Sequence, residues 1–191
     1  MLARFFTKHS LLSAATAAAL LCCAASARAD LVTNGGFETG DFTGWTTNIN
    51  PVYDAVDTLA PHDGTYAAYF GNGSVSTISQ DLATTAGTHY MLSFWLMNEA
   101  DVTGASAPNS FAVLLDGATA LSLNNELAFG YTEYNIFFDG TGGLVNLSFA
   151  ASQTFAFWDL DSVSVNVPEP DGLALAGLAG ILALGASRRR R

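Results

Sequence analysis

The chain has 191 residues, half of them hydrophobic, and a formal net charge of −10 at pH 7. All seven Lys and Arg lie at the two ends, at Arg4, Lys8, Arg28 and Arg188 to Arg191, whereas all 17 Asp and Glu lie between Asp30 and Asp171. Residues 30–187 thus hold 17 acids against no base, which excludes nucleic acid as a partner and disfavours anionic polysaccharide held by ion pairs.

Met1 to Ala29 reads as a signal peptide. Arg4 and Lys8 form its basic segment and Leu11 to Ala25 its apolar run. Ala27-Arg28-Ala29 is an A-x-A site that predicts Asp30 as the mature N-terminus. Both cysteines, Cys22 and Cys23, leave with this segment. A lipoprotein reading of either is weak, because the residue before a lipidated Cys is small and here it is Leu21 or Cys22. An exported chain without disulfides draws its stability from a core or a metal. No carboxylate of the mature chain before the terminal arginines has a Lys or Arg partner. A buried one has to be hydrogen-bonded, protonated or bound to a cation, which favours calcium.

Residues 30–165 read as one domain dominated by alternation of period two. Tyr90, Leu92, Phe94 and Leu96 point one way, and Met91, Ser93, Trp95 and Met97 the other. Phe111, Val113 and Leu115 alternate up to Asp116-Gly117, a hairpin dipeptide, and Ala118 to Leu123 returns. Tyr134, Ile136 and Phe138 alternate and stop at Asp139-Gly140. Val145, Leu147 and Phe149 share one side of a further strand, and Val163, Val165 and Val167 one side of the last. Thr65 to Phe70 and Ser74 to Leu82 add two more. No helical stripe of useful length interrupts them, and turn dipeptides are dense. The pattern predicts an all-β antiparallel sandwich, a jelly roll, flanked by the signal helix and a C-terminal membrane helix. An immunoglobulin-type sandwich is the alternative, but its Cys–Trp–Cys core is absent.

The tail at 166–191 has three parts in order. Val167-Pro168-Glu169-Pro170 is a rigid turn, Gly172 to Ser187 an uncharged apolar stretch, and Arg188-Arg189-Arg190-Arg191 a basic end. As a helix the apolar stretch spans about 24 Å, somewhat short of a hydrocarbon layer of ~30 Å. The arginines stay on the cytoplasmic side. This tail resembles the PEP-CTERM sorting signal of bacterial envelope proteins. The resemblance implies recognition by an exosortase-type membrane peptidase near Pro168, Glu169 and Pro170. It further implies transient anchoring in the inner membrane, then an envelope or extracellular location in a cell that makes exopolysaccharide.

A second resemblance rests on three stretches: Leu31 to Gly40 with Gly44-Trp45, Asp63 to Tyr69 with Ile78 to Leu82 and Gly87 to Tyr90, and Asp159 to Val165. In this order they look like galactose-binding-like and carbohydrate-binding-module jelly rolls of secreted bacterial proteins. The resemblance implies that the opening and closing segments run side by side, with a structural calcium at their edge. It assigns Glu38 and Asp161 as carboxylate ligands, with the loop at Asp63, Gly64 and Thr65 supplying further oxygens. Many acids without cationic competitors suit calcium, which takes six to eight hard oxygens. The same two acids can equally cap turns in solvent, and Asp159, on the same face as Asp161, reads as solvated.

Sugar binding uses an aromatic platform with polar neighbours, and the candidates are Trp45, Tyr53, Trp95, Tyr131 and Trp158. In a sandwich with 12% aromatics most belong to the core. Trp45 closes one end of it, whereas Trp95 and Tyr131 are the two expected at a ligand, Trp95 on the concave surface. No catalytic signature is present: no G-x-S-x-G, H-E-x-x-H, CxxC pair or phosphate loop. His62 reads as a loop residue. Acid pairs such as Glu99 with Asp101, or Asp159 with Asp161, are what a glycoside hydrolase needs, but such pairs are frequent among 17 acids. The expectation is a non-catalytic exported matrix protein with weak carbohydrate binding, serving exopolysaccharide or biofilm. The alternatives are a structural or protein-binding sandwich with calcium and, more remotely, a glycosidase.

Overall fold

The computed structural model describes residues 30–100 and 108–168. The segment with Ala27 and Ala29, Asp101, and the tail with Glu169, Pro170 and Arg188 to Arg191 lie outside the described residues. Among the described residues no helix is long and apolar enough to cross a membrane.

The described residues form an antiparallel sandwich of ten strands: β1 Thr46–Asn48, β2 Asp54–Asp57, β3 Ala67–Phe70, β4 Ser76–Ala83, β5 His89–Asn98, β6 Asn109–Leu115, β7 Ala118–Asn124, β8 Phe129–Asp139, β9 Leu144–Gln153 and β10 Trp158–Asn166. The first sheet has the order β1-β4-β9-β6-β7 and the second β2-β3-β10-β5-β8. Alternation sets the layers as expected. Tyr90, Leu92, Phe94 and Leu96 of β5 face the core, as do Phe111 and Val113 of β6 and Val145, Leu147 and Phe149 of β9. The β6–β7 hairpin turns at Asp116 and Gly117, whose φ values of 50° and 77° match the left-handed geometry of a two-residue hairpin.

Aromatic rings fill the space between the sheets. Phe94 meets Phe149 edge-on at 5.3 Å, Trp158 lies 5.5 Å from Phe111, and Trp45 closes the core beside Phe37 and Phe149. Trp158 is wholly buried, which removes it from the surface candidates. Fully burying one such ring against water is worth roughly 1.5–3 kcal/mol, so a disulfide-free core of this size is sufficient in kind.

The segment before β1 has no strand but runs beside β10. Leu31 donates its N–H to the Val165 carbonyl and Val163 donates to that of Gly35. The approach is close: a Cβ on Gly35 would lie 1.8 Å from the Val163 carbonyl oxygen, so only glycine fits.

The structure departs from the sequence reading in β10. The register shifts between Asp161 and Ser164, and Ser162 has φ 52°. This bulge spends one extra residue, so Leu160 and Val163 both face the core although three positions apart. Before the bulge, Asp159 and Asp161 alternate with buried Trp158 and Leu160 and so lie on the outer side of the second sheet. The edge strands β1 and β2 were not expected, and β8 and β9 run longer than their alternation suggests.

Candidate functional site

The two outer faces differ in kind. The strands of the first sheet contain two aromatic residues, Phe111 and Phe149, and both are buried. Its outward residues, such as Thr77, Ser79, Ser148 and Ala150, are small. The second sheet turns Tyr69, Trp95 and Tyr131 outward, together with Asp159 and Asp161. Register places Asp161 opposite Trp95, and Asp159 opposite both Met97 and Tyr69.

Residues 58–66, between β2 and β3, lie over this face and are pinned at several points. Leu59 donates its N–H to Asp57 Oδ1 at 2.9 Å, and the Tyr131 hydroxyl donates to the Ala60 carbonyl at 2.6 Å. The His62 ring stacks on Trp95 with centroids 3.9 Å apart and planes at 15°, while Tyr131 meets His62 edge-on at 5.1 Å. Asp161 Oδ2 accepts the N–H groups of His62 and Asp63 at 2.9 and 3.0 Å. Glu38 Oε1 accepts those of Thr65 and Tyr66 at 2.8 and 3.0 Å.

The structure therefore brings Trp95 and Tyr131 together but interposes His62, which covers one face of Trp95. The sequence showed His62 only as a loop residue, and nothing in its neighbours announces the stack. Tyr53, on another loop, is half exposed and stands apart from this group.

Of the four expected calcium ligands, the carboxylates of Glu38 and Asp161 lie near each other, and Thr65 and Asp63 reach them through their backbone N–H groups. A Cβ on Gly36 would lie 3.7 Å from Glu38 Cγ and 3.9 Å from Asp161 Oδ1, and one on Gly64 only 2.3 Å from Glu38 Oε1. Glycines thus make room for both carboxylates in one small space. Among the described residues no group of three or more His, Cys, Asp or Glu side chains is arranged to hold a metal ion. The backbone N–H groups of His62, Asp63, Thr65 and Tyr66 face these two carboxylates, so an ion at Glu38 and Asp161 would share their oxygens with those donors and take its remaining oxygens from elsewhere.

Asp159 is not solvated as the sequence suggested. It is 4% exposed, and its Oδ2 has no hydrogen-bond partner. Burial, then the charges of Glu99 and Asp57, push its pKa up to about 8. Burial and Asp57 also raise Glu99. Burial raises Asp161 against the hydrogen bonds from Asp63, Ser162 and His62. Tyr131 is raised by burial and by the surrounding acids, so it stays a phenol donor at neutral pH.

The Asp159 shift has a definite sign. Its folded pKa lies above the unfolded value of 3.8, so the native state holds the proton more tightly. Stability is lost as pH rises from about 4 to about 8 and then levels off. Asp159→Asn removes that dependence. Thermal unfolding of the variant should match the parent near about pH 4 and exceed it increasingly toward about pH 8. An equal difference at every pH would show that Asp159 ionises normally.

No protein-family model and no curated protein sequence matches the chain. Solved structures are similar in fold. The carbohydrate-binding module TmCBM61, in complex with β-1,4-galactotriose, superposes with a TM-score of 0.56 at 18% identity, covering 74% of this chain and all of that one. The K1 cleaved adhesin domain of Lys-gingipain from Porphyromonas gingivalis W83 gives 0.54 at 14% identity, over 70% of this chain and 96% of that domain. A family 16 carbohydrate-binding module gives 0.50 at 18% identity, over 71% of this chain and 99% of that module. The described domain is thus similar in fold to these sandwiches, carbohydrate-binding modules among them.

Proposed function

We propose that the chain is a non-catalytic exported protein whose sandwich binds carbohydrate through the outer face of the second sheet. The observation that carries this reading is the joining of His62, Trp95 and Tyr131 beside outward carboxylates, on a sandwich whose fold matches a galactotriose-binding module along its full length. Rings supply flat apolar contact for sugar faces, and carboxylates accept hydrogen bonds from hydroxyls. The absence of Lys and Arg makes a neutral glycan a better ligand than an acidic one. A structural or protein-binding role is the second reading. It is supported by exposed Val52, Tyr53, Val75 and Phe155 on loops tied by hydrogen bonds from Gly71 to Tyr53 and from Gln153 to Asn72.

Titration of the full-length chain against a glycan array tests the first reading. Binding should weaken about tenfold or more in Trp95→Ala and Tyr131→Ala, a loss of at least about 1.4 kcal/mol. Absence of binding to any glycan, the host's own exopolysaccharide included, would refute it and leave the protein-binding role.

Calcium at Glu38, Asp63, Thr65 and Asp161 belongs to this reading as a structural ion that holds residues 58–66 to the sheet. A ligand that binds only the native state stabilises it. The unfolding midpoint should rise by several degrees on exchanging EDTA for calcium, and an unchanged midpoint removes calcium from the account.

Delivery is proposed to follow the sorting tail. An exosortase-type peptidase acts near Pro168-Glu169-Pro170 after the apolar stretch and Arg188 to Arg191 have stopped in the inner membrane. The domain then reaches the envelope or the exopolysaccharide matrix of a biofilm. Replacing Pro168-Glu169-Pro170 with alanines should leave an uncleaved, membrane-held precursor in fractionated cells. Normal release would contradict the sorting role.

A further inference from the structure

Phe137 is the one exposed aromatic ring that a strand carries among the described residues, with 68% of its surface open. Its neighbours Ile136 and Phe138 pack against the core, so alternation along β8 turns this ring out of the second sheet. Register lays out its surroundings. Met91 lies opposite Phe137, and Asn166 lies opposite Met91. The next row toward Trp95 holds Asn135, Ser93 and Ser164, and the row on the other side pairs Asp139 with His89. Residues 58–66 lie over the Trp95 end of this face, where His62 covers one side of Trp95. The Phe137 end is open: His89, Asn135, Phe137 and Asp139 are all exposed, and Ser93, Ser164 and Asn166 are half-buried. His89, Phe137, Phe138 and Asp139 line an open depression there. Two contacts hold the polar side chains in place, His89 Nδ1 with Asp139 Oδ1 and the Asn166 Nδ2 donor with Ser164 Oγ.

A lone ring among amides, hydroxyls and a carboxylate is a small apolar patch for a protein contact, whose centre is contiguous and depleted of charge. It suits a pyranose, which lays an apolar face on a ring and directs its hydroxyls sideways to amide, hydroxyl and carboxylate groups. An acidic sugar would meet Asp139 and Glu133 with no Lys or Arg between residues 30 and 187 to offset them. Trp95 and Met91, the partner of Phe137, are four residues apart on β5, which is about 13 Å along the strand. No single sugar ring covers that distance, whereas a short chain of them does.

Resting on the carbohydrate reading above, we propose that the Phe137 end of the second sheet is a second sugar subsite. One unbranched, neutral glycan chain lies along β5 and β8, with one unit at Trp95 and Tyr131 and a later unit on Phe137. The domain thereby recognises the interior of a polysaccharide chain, and its affinity depends on how many units reach the second ring.

Calorimetric titration of the full-length chain with neutral β-1,4-linked oligosaccharides of galactose, glucose and mannose, from disaccharide to hexasaccharide, tests this. The hexasaccharide of the preferred sugar should bind at least about tenfold tighter than the disaccharide. In Phe137→Ala the hexasaccharide should weaken about tenfold, so that affinity ceases to rise with length, and Phe137→Tyr should restore the rise. If Phe137→Ala does not fold, Asn135→Ala at the neighbouring exposed position makes the same comparison. Affinity that rises with length as before in the variant overturns the inference, and so does an equal loss at every length. Sedimentation velocity on parent and variant supplies a further check: a dimer that disappears in Phe137→Ala assigns the ring to a contact between copies and overturns the subsite. These outcomes concern Phe137 alone, whereas no binding of any oligosaccharide overturns the reading on which the subsite rests.

Discussion

The carboxylate of Asp161 is the constraint on which the outer face of the second sheet depends. Its Oδ2 takes two consecutive N–H groups of the loop over β10, at His62 and Asp63, while its Oδ1 takes the N–H of Ser162 in the bulge. One side chain thereby fixes both the loop that supplies His62 and the kink that turns the strand. Without the kink, Val163 and Leu160 could not both be core residues. Without the loop, Trp95 and Tyr131 would lie apart on neighbouring strands.

The same chemistry recurs at several acids of this domain, which holds no Lys or Arg. Buried Asp54 accepts N–H groups from Asn50, Gly71 and Asn72 and the hydroxyl of Ser76, joining the loops before β2 and β4. Asp41 accepts from Thr39 and Thr43, which lowers its pKa. Glu38 accepts from Thr65 and Tyr66. Backbone amides thus do for these carboxylates what arginines do elsewhere, and they do it at loops, where N–H groups are free of the ladders. Buried Asp159 lacks such a donor at Oδ2, because it lies inside a strand whose amides are already committed to β3 and β5.

Much of the fold was legible. A strand buried on one side only, such as β5, writes its alternation openly, and Asp116-Gly117 announces a hairpin by requiring left-handed backbone. The edge strands were not, because Thr46–Asn48 and Asp54–Asp57 are too short to show a period. The bulge at Ser162 was also invisible: Val163, Val165 and Val167 were read correctly as one side, but nothing local says that Leu160 joins them. For the site, alternation sent Trp95 outward, whereas Tyr131 was a candidate only as an aromatic residue beside polar neighbours. Alternation could not foresee that a loop far earlier in the chain would lay His62 on Trp95 and accept a hydrogen bond from Tyr131. The misreading of Asp159 has the same origin, since its burial comes from side chains on other elements rather than from its own strand.

The separation of charge along the chain has a consequence for its resistance to proteolysis. Loop tips are where a folded domain is first nicked. Here those tips, at residues 50–53, 71–75, 116–117 and 154–157, contain neither Lys nor Arg, and no peptide bond between residues 30 and 187 follows one. A trypsin-like protease, whose pocket needs a basic side chain, finds no bond to cut in the sandwich whether it is folded or open. Its vulnerable points are instead exposed aromatic positions such as Phe155 and Phe137, which a chymotrypsin-like enzyme reads.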